Sequence, residues 1–165
     1  MSTYTPMELF VGLSSVLTGI DATKLAPALD PNNVKQIYFD TAKAKGGATF
    51  DQLLQIYAAN ATQPPAAIAA AVFEQSGPAV CFLARAIMLA WYLGSWYQPS
   101  ELQKYSVPNP PAAPIASTVI SPDAYTQGWA WNVAQAHPMG YSNFTFGYWA
   151  NKPPSLDDFV QGASA

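Results

Sequence analysis

From Ser106 to Ala150 the chain carries one formally charged residue, Asp123, set among eight tyrosines, tryptophans and phenylalanines. Nine of the 15 prolines lie from Pro99 onward. Within 105–116, YSVPNPPAAPIA, the prolines Pro108, Pro110, Pro111 and Pro114 fix φ and remove backbone donors, which excludes a helix. Such a stretch cannot satisfy its backbone through its own ladder, so it runs over a surface. A surface segment rich in aromatics and almost free of charge is an apolar patch, with the composition of an interface core. Two outcomes meet that condition. Either a partner buries this arm, or the arm folds back over the chain's own helices.

The residues before it read as helices with clear punctuation. Segment 6–18 opens on Pro6 and ends at Gly19, and Leu9, Phe10, Leu13, Val16, Leu17 and Ile20 form one apolar stripe. Asp30-Pro31 reads as an N-cap followed by proline in the first turn, ahead of a stripe of Val34, Ile37, Tyr38 and Ala42. Thr49 with Gln52 fits a capping box before Phe50, Leu53, Leu54 and Tyr57. Pro64-Pro65 opens an alanine-rich helix running to Gly77, and Pro78 opens a strongly apolar one ending near Gly94. The predicted fold is all-α: a single domain over 1–165, with about five helices bundled in 6–97. A largely irregular arm follows over 98–165. One short helix is expected in 121–136, opened by Ser121-Pro122 and Asp123, and another where Ser155 with Asp158 fits a capping signature.

Charge narrows the function classes. Seven Lys+Arg against ten Asp+Glu leave a net charge of −3 and no basic patch to neutralise phosphates, so nucleic acid is an unsuitable partner. One cysteine and one histidine exclude a disulfide framework and a two-His or Cys-based metal site. The run 78–97, PAVCFLARAIMLAWYLGSWY, is long enough to cross a bilayer. Its central Arg85 would cost about 2.5–3.5 kcal/mol on insertion, which favours a buried helix whose arginine pairs with a carboxylate or with backbone carbonyls. Residues 1–20 hold Glu8 and neither Lys nor Arg, so no export signal is visible; a cytoplasmic chain, a trimmed one and one carried by a partner all fit.

Catalytic patterns are sparse. There is no dinucleotide-binding glycine motif, P-loop or nucleophile elbow. Cys81 in the apolar helix reads as an inert thiol. His137 has Asp123 as its nearby acid in sequence, which makes a small stand-alone enzyme one alternative, and Asp157-Asp158 reads as a solvated helix start.

Phe10–Gly19 (FVGLSSVLTG), Leu29-Asp30-Pro31, Ile87–Gly94 (IMLAWYLG), Ala124–Trp131 and Gly147–Pro153 (GYWANKP) carry a likeness. With them the chain resembles, over about 10–154, the small subunit of bacterial membrane-bound, FAD-dependent sugar and polyol dehydrogenases. The resemblance implies a chain that is not an enzyme on its own and binds no cofactor. FAD, and in several members an iron–sulfur cluster, would sit in a large flavoprotein subunit, and a cytochrome c subunit would anchor the complex. The small subunit of that family supports folding of the large one and its export to the periplasm through a twin-Arg signal. Two features depart from the family. No twin-Arg signal is present, and Phe144–Trp149 lacks the cysteine that some relatives carry there.

Composition and resemblance together place the partner contact in residues 91–154. The candidate anchors are Trp91, Tyr92, Trp129, Trp131, Tyr148 and Trp149, with His137 and Pro138 on the same interface. Trp91 and Tyr92 are adjacent on a helix, so both cannot face the same way. A chaperone or binding module that releases its client would use the same arm. The substrate of such a complex is chosen by the large subunit, so nothing in this chain specifies it.

Overall fold

A computed structural model describes residues 4–138. Thr5 accepts the Glu8 N–H at 3.2 Å while its own N–H donates to the Glu8 carboxylate at 2.6 Å, so a capping box launches α1 (Pro6–Thr18). Gly19 ends α1 in the left-handed region, at φ 73°. A single turn, α2 (Ala22–Leu25), follows with Asp21 as its cap. Helix α3 (Val34–Gly46) starts later than the Asp30-Pro31 signal predicts. Pro31 and Asn32 form a turn instead, and Asp30 still caps the helix from outside, accepting the Val34 N–H at 3.0 Å. Helix α4 (Ala48–Asn60) has Gly47 as its N-cap, which puts Thr49 inside the first turn, and no side-chain cap is formed there. Helix α5 (Pro65–Phe73) stops short of Gly77, and α6 (Pro78–Leu93) runs to Gly94 as predicted.

The core gathers where α1, α3, α4 and α6 meet. Phe10 packs edge-on to Phe39 at 5.5 Å between ring centroids, and Trp91 lies 4.5 Å from Tyr38 and 6.2 Å from Phe10. Phe50 completes the cluster against Phe10 and Phe39. Offset and edge-on arrangements of this kind are the favoured ones for aromatic rings. Among the described residues, no helix is long and apolar enough to cross a membrane.

Beyond Gly94 the chain turns back on the bundle. Strand β1 (Ser95–Tyr97) pairs antiparallel with β2 (Ser117–Val119), in a register that sets Trp96 opposite Thr118. Between them lie α7 (Pro99–Tyr105) and the proline-rich loop, whose Tyr105 hydroxyl donates to the Ala113 carbonyl. The helix predicted over 121–136 is broken in two, α8 (Pro122–Thr126) and α9 (Trp129–Val133). Ser121 caps α8 as predicted, accepting the Ala124 N–H at 3.0 Å. The break falls at Gly128, where a β-carbon would lie 2.8 Å from the Tyr92 carbonyl oxygen. Glycine at this position breaks the helix and also allows the close backbone approach to α6. The described fold is therefore a helical bundle with a two-strand ribbon and a short-helix arm laid against α3 and α6. The signature at Ser155–Asp158 lies outside the described residues.

Candidate functional site

The inner side of the arm is tied to the bundle by backbone groups. Ala124 is fully buried, and its carbonyl accepts the Tyr38 hydroxyl at 3.0 Å. The Ile120 N–H donates to the Gly94 carbonyl at 3.0 Å. Burial pushes the Tyr38 phenol well above its ordinary value, because the phenolate would be stranded away from water. Folding stability is thus expected to hold up to about pH 10, the pKa of an unfolded tyrosine, and to fall above it. There the unfolded chain loses a proton that the folded chain keeps. A Tyr38→Phe variant has a shallower alkaline slope and loses about 1–2 kcal/mol at neutral pH, since the Ala124 carbonyl forfeits its donor. Urea titrations from pH 7 to 11 read both effects, and equal alkaline slopes in the two proteins would reject the assignment.

The predicted anchors separate by position. Trp91 is corrected from partner-facing to core: it is 1% exposed and packed among Phe10 and Tyr38. The 100° step per residue along α6 turns Tyr92 away from that cluster. Tyr92 is half-buried, and its hydroxyl donates to the Thr18 carbonyl at 2.8 Å. Trp129 is half-buried against the core. Trp131 is half-buried on α9, its Nε1–H donating to the Tyr125 carbonyl at 2.8 Å and its ring edge-on to Tyr125. His137 is half-buried with Nδ1 3.0 Å from the Pro138 carbonyl oxygen, and Pro138 is buried. Tyr148 and Trp149 lie outside the described residues. Among the described residues, no three His, Cys, Asp or Glu side chains gather as a metal site.

The outer side of the arm keeps apolar groups in solvent. Val107 is 48% exposed, Val119 53%, Tyr125 37% and Val133 43%. Trp131 stands edge-on beside Tyr125, and the three valines are exposed on the loop after α7, on β2 and on α9. The described arm therefore folds back over the chain's own helices, with Ala124 buried against the bundle, while Val107, Val119, Tyr125 and Val133 stay exposed. Comparison with family models, with curated proteins and with solved structures finds no match to this chain.

Two features went unread in the sequence. Arg85 is exposed, not buried in an ion pair: its guanidinium sits over the Phe82 ring at 5.1 Å, and Nη1 donates to the Ser106 hydroxyl at 3.3 Å. The exposed valines of the arm, Val107, Val119 and Val133, carry no sequence signal of their own beside its aromatics. The arginine itself was the available signal. A lone cation in an apolar helix can mark the face that looks outward as readily as a buried pair.

Proposed function

We propose that this chain is the non-catalytic small subunit of a heteromeric FAD-dependent sugar or alcohol dehydrogenase, holding the catalytic flavoprotein subunit and assisting its folding and export. The observation that carries the reading is the exposure of Val107, Val119, Tyr125 and Val133 on a segment whose one formal charge is Asp123. Side chains of that kind left in water favour association with a second protein. The sequence resemblance supplies the partner's class. On this reading FAD belongs to the large subunit, and the complex works in the periplasm, associated with the membrane.

The test is purification of the tagged full chain from its own organism. A yellow, one-to-one complex with an FAD protein is the expected result. Trp131→Ala, which removes the half-buried ring beside Tyr125 on α9, is expected to weaken association by about 2 kcal/mol, a roughly 30-fold loss of affinity. A colourless, monodisperse monomer rejects the reading. A client that departs during gel filtration assigns the chain to the chaperones that release their substrate.

A further inference from the structure

Helix α6 has two faces. Val80, Leu83, Ile87 and Trp91 are buried in the core, whereas Phe82, Met88, Leu89 and Tyr92 form a half-exposed stripe with Arg85 at its middle. Helix α7 and the loop after it pack along α6 and cover this stripe only in part. They leave a groove of about 560 Å³ over Met88, Leu89, Leu102 and Ile115, with Arg85 and Tyr105 along its edges. That volume lies in the range of about 300–1,000 Å³ typical of binding clefts.

The charge along this groove is unbalanced. Arg85 is the only arginine in the chain and, among the described residues, the only charged one lining the groove. The one ion pair among the described residues is Lys104 with Glu101, and Arg85 meets no carboxylate there. Its guanidinium is nonetheless held, by the Phe82 ring below and the Ser106 hydroxyl at one nitrogen. A planar fork restrained in this way keeps donors free for a carboxylate and loses little entropy on pairing. Arginine, methionine and tyrosine around an apolar floor are also the residues enriched in interface cores.

We propose that the flavoprotein partner seats an apolar segment in this groove and pairs a carboxylate of that segment with Arg85. The inference rests on the small-subunit reading and locates its second contact, on α6 and α7, apart from the exposed side chains of the arm. A photo-crosslinking phenylalanine analogue at position 88 of the tagged full chain is expected to attach to the FAD protein, within a peptide that carries Asp or Glu among apolar residues. Arg85→Glu is expected to lower the flavoprotein recovered per tagged chain by about tenfold or more, and Arg85→Lys to lower it less. Far-ultraviolet circular dichroism confirms that each variant keeps its helices. Equal recovery with wild type and Arg85→Glu overturns the inference while the small-subunit reading stands. Crosslinks that map to this chain's own residues 139–165, or to a second copy, overturn it too. A wild-type chain that recovers no flavoprotein rejects the small-subunit reading itself, and the inference falls with it.

Discussion

Replacing Trp91 by alanine is expected to remove about 3–5 kcal/mol of folding stability, the range for truncating a buried tryptophan. The indole is 1% exposed and stands between Phe10 and Tyr38, so the loss combines transfer free energy with a cavity at the centre of the aromatic cluster. In a domain of this size that corresponds to a fall of roughly 10 °C in Tm. The damage also reaches the arm. Tyr38 leans on Trp91 with its ring and holds the Ala124 carbonyl with its hydroxyl, so a cavity at Trp91 loosens both. Trp131→Ala supplies the contrast. Its ring is half-buried beside Tyr125, and its removal is expected to cost clearly less folding stability than Trp91→Ala, about 1–2 kcal/mol, while weakening association. Urea denaturation of the two full-length variants separates core from surface. A Trp91→Ala protein within about 1 kcal/mol of wild type would show that the indole does not support the core.

That contrast also measures how much of the molecule can be read from its residues. The bundle was legible because prolines and glycines punctuate it: Pro6, Pro65 and Pro78 open helices, and Gly19 and Gly94 close them. Starts marked by polar side chains were less exact. Asp30 caps α3 across an intervening turn, and Thr49 makes no cap at all, because a hydrogen bond to the backbone does not have to come from the adjoining residue. Strands β1 and β2 were not legible. Each is three residues long, too short for an alternating pattern, and their pairing follows from where the arm docks. The one-turn α2 is likewise below the length at which a stripe can be seen.

The candidate interface was legible as a composition and not as a set of residues. Aromatic content and missing charge marked out the arm, of which the bundle covers the Ala124 side. They could not tell Trp91 from Trp131, since both rings have the same chemistry and only packing decides which is inside. Helix α6 sharpened the difficulty. It is apolar on nearly every side, so a 3.6-residue period does not single out an inner face. Arg85 was the one break in that pattern, and the structure places it on the outer face.

Docking of the arm depends on Gly94, and Gly94→Ala is the substitution expected to undo it. The residue has φ 62°, where an L side chain is strained, and a β-carbon there would lie 2.3 Å from the Ala124 carbonyl oxygen and 2.5 Å from both its carbonyl carbon and the Tyr125 Cα. All three are backbone atoms, so no change of rotamer relieves the overlap. Helix α8 has to withdraw, which breaks the Tyr38–Ala124 and Ile120–Gly94 hydrogen bonds together. Backbone strain and overpacking each contribute about 1–3 kcal/mol, giving a loss of about 2–6 kcal/mol. Gly19→Ala is the matched control. Gly19 also caps a helix at positive φ, 73°, but nothing lies within 4 Å of its β-carbon position, so its substitution registers the strain alone. Hydrogen exchange should show amides 117–126 losing protection in Gly94→Ala and keeping it in Gly19→Ala, with α1 and α4 protected in both. If the two variants lose equal stability and protect the same amides, α8 is not seated on Gly94, and the arm is held to the bundle by some other contact.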